Sequence, residues 1–273
     1  MFESWLDAGH NAGMAYMEAN GEARRHPQLL LEGARSMLCA AFSYACADGA
    51  DRSPLVADYA RGLDYHIVLR QRLAPVAALM EAAVPGSKTR ICTDSAPLRE
   101  RYRAVRAGLG TCGINGLLAV PGAGNEVFLA EILWTADVQS SEPLAENPCT
   151  ACGLCTAACP GGAINGDGTV DARRCLSYLT IEHAGDLPDG LALPGRIYGC
   201  DICSQVCPLG EPHCPPLPEF MLRPALLGVT RADIATLRSA AYRRLTAGSA
   251  MRRVPAARLA RNASYPPPNC ELD

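Results

Sequence analysis

The sequence predicts a mixed α+β protein built from three consecutive parts, and three observations support this prediction. Apolar runs of strand length alternate with helix-length segments over residues 1–140, which is typical of an α/β or α+β domain. Cysteines are concentrated in residues 141–214. Prolines then break the chain, and residues 215–273 predict short helices rich in arginine.

The elements of the first part follow from its apolar runs and its helix and strand breakers. The predicted elements are, in order, helical segments within residues 1–34, a strand at 37–44, a helix at 55–83 with interruptions at Gly62 and Pro75, a strand at 88–93 and a helix at 97–107. Two further apolar runs, 116–120 and 126–134, flank a glycine-rich and proline-containing turn. This pattern predicts a hairpin.

Eight of the 14 cysteines form two runs and one bridging position. The runs are Cys149-x2-Cys152-x2-Cys155-x3-Cys159-Pro160 and Cys200-x2-Cys203-x3-Cys207-Pro208, with Cys175 between them. This is the bacterial iron–sulfur spacing, in which the cysteine before proline ligates the other cluster of the pair. The spacing predicts two [4Fe–4S] clusters, held by Cys149, Cys152, Cys155 and Cys207 and by Cys159, Cys175, Cys200 and Cys203.

Two other uses of these cysteines agree less well with the sequence. Structural zinc is usually bound by separated CxxC pairs, whereas the first run here has three cysteines at x2 spacing and a fourth before proline. A disulfide framework belongs to secreted chains. Residues 1–20 contain acidic residues and no basic segment before an apolar core, so they do not predict a signal peptide. We therefore expect a cytoplasmic protein in a reducing compartment.

Composition and charge bear on which classes of function the chain could have. The chain of 273 residues is 49% hydrophobic and carries a formal net charge of −3, so no overall signal for nucleic-acid binding exists. No apolar run reaches the roughly 20 residues that span a bilayer. Residues 215–273 have nine arginines against four acidic residues, a local charge of +5, which indicates either phosphate binding or a solvated helix face. An electron carrier would need only the cluster part, so the preceding residues favour an enzyme.

Four segments resemble motifs of the cobalamin-dependent epoxyqueuosine reductases, which complete queuosine in the tRNA anticodon. They are Tyr59-Ala-Arg61-Gly-Leu-Asp64-Tyr65-His66, Asp94-Ser95-Ala96-Pro97-Leu98-Arg99-Glu100-Arg101 with Ala107-Gly108-Leu109-Gly110 after it, Cys175-Leu-Ser177-Tyr178, and Ile197-Tyr198-Gly199-Cys200-Asp201. The resemblance covers residues 1 to about 263.

The resemblance implies a nitroreductase-like α/β domain over residues 1–140 that binds cobalamin, a ferredoxin-like two-cluster domain over 141–214, and a short basic helical segment over 215–273. Electrons from an external flavodoxin- or ferredoxin-type donor would reach cobalamin through the clusters, and reduced cobalamin would attack the epoxide. The substrate would be tRNA with a queuosine-precursor anticodon, and we expect a monomer with no membrane contact. The implied cofactor contacts are Tyr59, Arg61, Asn115, Ser177 and Asp201.

The resemblance also implies that Asp94 is the proton donor, which requires burial to raise the pKa of its carboxyl group. Read without the resemblance, Asp94 is a cap for the helix that begins near Pro97. Other matching residues have equally ordinary readings. Tyr59 and Arg61 suit a helix surface, Asp201 a cluster loop, His66 a packed histidine, and Glu182 either a tRNA contact or an exposed position.

The chain departs from the family in two places. The family has Gly-Trp-x-Gly-Lys-Asn where this chain has Gly110-Thr111-Cys112-Gly113-Ile114-Asn115, so the tryptophan and the lysine are replaced. The family's opening strand and the C-terminal repeats of some members are also missing, which predicts a shortened member. Two alternatives therefore remain open: a corrinoid reductase for a small molecule, and a two-cluster electron carrier without cobalamin.

Overall fold

A computed structural model describes residues 1–45, 53, 55–191, 193, 195–210 and 215–265. Its helices are α1 (Phe2–Asp7), α2 (Gly21–Arg25), α3 (Tyr65–Ala83), α4 (Glu100–Arg106), α5 (Leu154–Ala158), α6 (Leu176–Ile181), α7 (Ile202–Gln205), α8 (Arg231–Ala235), α9 (Ser239–Thr246) and α10 (Ala256–Ser264). Its strands are β1 (Ser36–Ser43), β2 (Thr89–Cys92), β3 (Thr111–Cys112), β4 (Leu118–Ala119) and β5 (Val127–Trp134).

The main sheet has three strands in the order β1-β5-β2, and β5 is antiparallel to both neighbours. Because β5 is apolar at almost every position, it occupies the centre, where both of its faces are covered. Phe128, Ala130 and Ile132 pack against α3 and Phe220 on one face. The other face contains Leu133 and Glu131, beside Cys92 of β2. The sheet is thus covered on both sides, and the carboxyl end of β2 leads directly to Asp94.

The predicted hairpin is wrong. Val120 and Gly124 do form a tight turn, but β4 pairs with β3, and β5 pairs with β1 and β2 instead. The physical reason is burial, because β5 needs partners long enough to cover eight residues and β4 offers only two.

The long predicted helix is shorter than expected. Gly62 does interrupt it, and α3 begins at Tyr65, where the Asp64 carboxylate accepts the His66 amide at 3.0 Å as an N-terminal cap. Pro75 does not interrupt it, since α3 continues through that residue to Ala83. The helical segments expected within residues 1–34 are short pieces, α1, α2 and two 3-10 turns.

The three sequence parts share one core. A large hydrophobic cluster joins Val56 and Ala60 of the first part to Ile197 and Tyr198 of the cysteine-rich part and to Leu259 of α10. The fully buried Asn262 side chain ties the last two parts together by donating to the carbonyl oxygens of residues 180 and 197, at 2.8 Å each. Within the described ranges, no helix combines the length and apolarity needed to cross a bilayer.

The arginine-rich segment is only partly a charged surface. Arg223 and Arg231 donate to carbonyl oxygens within the segment, and Arg258 and Arg261 donate to carbonyl oxygens in the last turn of α6. These four cations therefore stabilise the packing of the chain's last part. The arginines that stay exposed are Arg238, Arg243, Arg244, Arg252 and Arg253.

Candidate active site at the junction of the sheet and the cysteine-rich part

A cavity of about 470 Å³ opens where the first part, the cysteine-rich part and the C-terminal segment meet. The first part contributes Asp94 and the start of α3, and the cysteine-rich part contributes Cys175 and Ser177 at the start of α6. Tyr59, Tyr65 and Tyr198 form an aromatic wall, with ring centroids of Tyr59 lying 6.3 Å from Tyr65 and 6.0 Å from Tyr198. The cavity therefore brings ionisable groups and a predicted cluster ligand to one place.

Asp94 faces the cavity and is held by two neighbours from α3. Its carboxylate accepts the Tyr65 hydroxyl at 2.8 Å and contacts His66 Nε2 at 3.0 Å. The other ring nitrogen of His66 lies 2.7 Å from the Asp64 carboxylate. His66 thus bridges two carboxylates, an arrangement that favours the imidazolium form.

The protonation state of Asp94 differs from the one that the sequence predicts. Burial acts to raise the pKa of Asp94, but the hydrogen bonds from His66 and Tyr65 outweigh it and hold that pKa below its usual range. Hydrogen bonds to Asp64 and Asp94 raise the pKa of His66 to about 9. The expected raised pKa of Asp94 is therefore wrong for this structure, and near neutral pH the proton of the pair resides on His66.

The capping alternative for Asp94 is also wrong. Helix α4 begins at Glu100, and its N-terminal cap position is Arg99 rather than Asp94. The side chain of Asp94 makes its hydrogen bonds to α3, whose N-terminus lies at the same cavity.

The structure gathers the eight predicted cluster cysteines into two neighbourhoods. Burial, and then the nearby thiols of Cys155, Cys149 and Cys152, raise the pKa of Cys207. Burial, and then Cys200, Cys175 and Cys159, raise the pKa of Cys203 to about 12. These are the two sets of four that the crossed spacing predicts.

The chemistry of these two sets fits [4Fe–4S] clusters. Among the described residues, no group of three or more histidine, cysteine or carboxylate side chains is close enough to hold a single metal ion. A set of four thiols is the ligand set of a [4Fe–4S] cubane. Cys175 also lines the cavity, whereas Cys152 is exposed. The second set therefore lies at the cavity and the first set reaches the surface.

The cavity also fits a cobalt cofactor that takes no protein histidine. Among the described residues, the one histidine that lines it is His66, and both of its ring nitrogens are engaged by carboxylates, so neither is free to bind metal. The aromatic wall offers flat apolar surface for a macrocycle. Tyr59 and Ser177, two of the five predicted cofactor contacts, line this cavity.

The other three predicted cofactor contacts lie elsewhere. Arg61 is fully buried and donates to the carbonyl oxygens of Phe220 and Tyr44. Asn115 accepts the Leu117 amide and donates to the carbonyl oxygen of Cys203, one of the predicted cluster ligands. None of these side chains is part of the cavity wall.

Asp201, the third of them, is buried where the cysteine-rich part meets the first part of the chain. Its carboxylate accepts the Asp58 amide at 2.7 Å and pairs with Arg196 at 3.3 Å. Burial raises the pKa of Asp201 to about 6. This position agrees with the loop-shaping reading, because Asp201 joins the loop of Cys200 and Cys203 to the chain before α3.

Replacing Arg61 by methionine should lower the free energy of unfolding by about 3 kcal/mol, because it leaves the buried Asp58 carboxylate without the guanidinium 3.6 Å away. Urea unfolding of the anaerobic protein measures this. The matched control is Arg72→Met, since Arg72 pairs with Glu219 on the surface and its loss should cost under about 1 kcal/mol. An equal effect of the two substitutions would contradict the structural role of Arg61.

The altered glycine-rich loop packs against the first cysteine set rather than the cavity. Thr111 donates its hydroxyl to Asn147 at 2.9 Å, and the same Asn147 oxygen accepts the Cys149 amide at 3.1 Å. A β-carbon at Gly113 would lie 3.6 Å from the Cys149 sulfur. Ile114, which replaces the family's lysine, is thus outside the cavity wall.

The rim of the cavity carries an ion pair between the second and third parts. Arg253 contacts the Glu182 carboxylate at 2.5 Å, and Tyr16 donates its hydroxyl to the same carboxylate at 3.3 Å. Glu182 is therefore a half-buried, paired residue, whereas Arg252 at the same rim is exposed.

Sequence reasoning missed the role of His66, which it took for a packed histidine. The available signal was the spacing of Asp64 and His66 around a helix start, because a capping aspartate lies beside the side chain two residues later. It also missed Glu100 and Glu131. In the sequence, Glu100 is an acidic residue in a predicted helix, and Glu131 is a single charged residue in an apolar strand.

Comparison with known proteins gives two family matches. Residues 24–95 match the model described as epoxyqueuosine reductase QueG, DUF1730, and residues 148–210 match a 4Fe-4S double cluster binding domain. The chain therefore carries a double-cluster iron–sulfur domain, and zinc is not the better interpretation of its cysteines.

Individual proteins are similar over nearly the whole chain. An epoxyqueuosine reductase of Synechococcus sp. (strain CC9605) is 37% identical over 273 residues, which cover 98% of this chain and 84% of that protein. A solved epoxyqueuosine reductase with an epoxyqueuosine-modified tRNA-Tyr stem loop matches with a TM-score of 0.84 at 28% identity, over 96% of this chain and 71% of that one. The Bacillus subtilis structure, with its aspartate catalytic loop swung out of the active site, matches with a TM-score of 0.82 at 27% identity, over 96% and 72%.

Proposed function

Because this chain belongs to the epoxyqueuosine reductase family, we propose that it reduces epoxyqueuosine to queuosine in tRNA. Removing the epoxide oxygen as water leaves an alkene and consumes two electrons and two protons. The observation that carries the proposal is the cavity itself, whose walls contain both the Asp94–His66 pair and Cys175, which we propose as a cluster ligand. A proton source and an electron outlet therefore meet at one place.

The cofactors of this proposal are two [4Fe–4S] clusters and cobalamin. Bound cobalamin would supply a strongly reducing and nucleophilic metal centre, and the clusters would supply electrons one at a time. Tyr59 and Ser177 are the residues of the cavity wall that we propose to contact the cobalamin. The exposed position of Cys152 supports entry of electrons through the first cluster, from a flavodoxin- or ferredoxin-type donor.

The protein's own contribution is the movement of protons. We propose that the carboxylate of Asp94 takes a proton from His66 and passes it to the oxygen of the opened epoxide. Asp64 stabilises the imidazolium that starts this transfer and holds its ring in place. In the Bacillus subtilis relative an aspartate catalytic loop is swung out of the active site, and we propose that the corresponding loop of this chain carries Asp94.

The partners and the domain boundaries belong to the same proposal. The substrate class is tRNA, as in the related stem-loop structure, and the exposed arginines of the C-terminal segment, Arg252 above all, supply cations beside the cavity rim. We propose three parts at residues 1–140, 141–214 and 215–273 and a monomer in the cytoplasm. A sheet covered on both faces supports a nitroreductase-like first part.

The test uses protein reconstituted anaerobically with iron, sulfide and cobalamin. We expect about one corrinoid per chain by absorbance and conversion of an epoxyqueuosine anticodon stem loop to queuosine, detected by mass spectrometry of its nucleosides. Corrinoid binding without conversion would favour a small-molecule substrate. Absence of both would favour the electron carrier and refute the proposal.

Turnover should decline above about pH 9, because His66 then loses the proton that it holds for Asp94. In Asp64→Asn the helix cap survives, since asparagine caps equally well, but the largest cause of the raised pKa of His66 is gone. The decline should then move toward the ordinary histidine value of 6.5. The pH profile of kcat measures the shift.

The control for this shift is Asp233→Asn, in the capping box of α8 and outside the cavity wall, which should leave the alkaline decline in place. An alkaline decline that stays at the same pH in Asp64→Asn would exclude His66 as the proton source.

A further inference from the structure

The backbone at Asp94 is strained. Asp94 has φ of +49°, in the left-handed region that non-glycine residues rarely adopt. The amide of Ser95 donates to the carbonyl oxygen of Thr93 at 2.5 Å, which closes a three-residue γ-turn around Asp94. The γ-turn with positive φ is the uncommon and strained form, so neighbouring groups must hold it.

Glu100 holds the main chain of this turn from outside it, while within the turn the Ser95 hydroxyl donates to the Thr93 carbonyl oxygen at 3.2 Å. The amide of Asp94 donates to the Glu100 carboxylate at 2.6 Å. Glu100 is the first residue of α4, where the helix dipole also favours a negative charge. Tyr65 and His66 fix the side chain of Asp94, whereas Glu100 fixes its backbone. An ionised carboxylate accepts this amide far better than a neutral one.

A second carboxyl group lies beneath Glu100. Glu131, at the centre of β5, is fully buried, and among the described residues neither of its oxygens has a hydrogen-bond partner. Its cross-strand neighbours are Cys39 and Cys92, which offer it no positive charge. A buried carboxyl group in such surroundings stays neutral. Burial and then Glu100 raise the pKa of Glu131 to about 9.

The surroundings of Glu100 place its own titration near neutral pH. Burial and then the carboxylate of Asp94 raise the pKa of Glu100 to about 7, while the Asp94 amide, Arg101 and His66 oppose that rise. The carboxyl groups of Glu100 and Glu131 interact, so they titrate as a pair. Between about pH 7 and about pH 9 this pair holds one proton. The charged and titratable groups that face Glu100 are Arg24, Cys39, Tyr65, His66, Cys92, Asp94, Arg101 and Glu131.

We propose that Glu100 is a positioning residue, whose ionised carboxylate fastens the strained Asp94 turn in its cavity-facing form while Glu131 keeps a neutral carboxyl group beneath it. Protonation of Glu100 weakens its bond to the Asp94 amide and lets the turn relax. The turn is therefore fastened above about pH 7 and loosens as the pH falls below it. The effect on turnover rests on the proposed role of Asp94. The hydrogen bond between Glu100 and the Asp94 amide does not, because it is a feature of the structure.

Hydrogen exchange of the reconstituted holoenzyme tests the fastening directly. We expect the amides of the segment 93–99, followed by mass spectrometry and corrected for intrinsic rates, to exchange about tenfold more slowly at pH 8 than at pH 6. In Glu100→Gln the amide oxygen still accepts the bond but cannot ionise, so this dependence on pH should disappear. In Glu100→Ala the protection should be lost at both pH values.

The matched control is Glu81→Gln. Glu81 accepts the Thr89 amide at 2.7 Å, at the opposite end of the same strand β2, and it lies on the surface. This variant should keep the wild-type pH dependence of segment 93–99 and the wild-type turnover.

The outcomes separate this inference from the proposed function. If Glu100→Gln keeps the wild-type dependence of exchange on pH, Glu100 is not the fastening group and the inference fails, whether or not Glu100→Ala folds. Wild-type kcat should also fall below about pH 7, as the turn loosens. If exchange changes as expected and this acidic limb of the kcat profile disappears in Glu100→Gln, both stand. If exchange changes but turnover keeps its acidic limb, the fastening stands and the proposed role of Asp94 is wrong.

Discussion

Asp94→Asn should lower kcat for epoxyqueuosine reduction by about 10²- to 10⁴-fold, the usual contribution of a positioned general acid. The side chain keeps its shape and can still contact Tyr65 and His66, so the cavity should survive. What is lost is the group that carries a proton from His66 to the substrate oxygen. Single-turnover reduction of the modified stem loop, with electrons supplied in excess, measures the chemical step without the donor reaction.

Two controls make this result specific. Iron and corrinoid content should equal those of the wild type, because none of the eight cysteines is touched. Asp137→Asn serves as the matched substitution, since Asp137 also follows a strand of the sheet, β5, but does not line the cavity. A turnover in Asp94→Asn within about tenfold of Asp137→Asn would remove Asp94 from the mechanism.

As the pH rises from 5 to 8, the free energy of unfolding of Glu131→Gln should increase relative to that of the wild type by about 4 kcal/mol. The pKa of Glu131 is about 9 in the folded chain against an ordinary value of 4.5. Between these values the unfolded chain releases a proton that the folded chain must keep, so the contribution of Glu131 to stability falls as the pH rises. Glutamine does not titrate, and its variant escapes this loss.

Urea unfolding of the anaerobic protein, followed by tryptophan fluorescence at pH 5 and pH 8, gives the difference between the variant and the wild type at each pH. Any fixed cost of burying an amide cancels between the two pH values. Glu81→Gln, whose exposed carboxylate has a lowered pKa, should not show the gain. A difference that is independent of pH would mean that Glu131 is ionised in the fold, although no described residue forms a hydrogen bond with its carboxyl group.

The sequence predicts the cluster ligands from chemistry that is local. The spacing within each cysteine run matches a short loop that surrounds a cubane. In such runs the cysteine before proline ligates the other cluster of the pair. The structure groups Cys207 with the first run and Cys159 and Cys175 with the second, as the spacing predicts. The strands 36–43 and 89–92 were likewise predicted within one or two residues, because strand-length apolar runs report burial directly.

The hairpin failed because strand pairing is not local. Residues 118–119 and 127–134 flank a good turn, yet the longer strand gains more by lying between β1 and β2, which are far away in sequence. The same limit explains Arg61, whose motif suggested a cofactor contact. Its partners are the carbonyl oxygens of Tyr44 and Phe220, and only the folded chain brings these to one place.

The sequence by itself therefore determined the composition of this protein's chemistry: two sets of thiols, an aspartate after a strand, and the order of the parts that contain them. Tertiary structure decided what those groups do to one another. It placed His66 between two carboxylates, which reversed the expected direction of the pKa of Asp94. It also placed Glu100 and Glu131 behind the Asp94 turn. Ionisation depends on distance, burial and partners in space, and none of these is written in the spacing of residues along the chain.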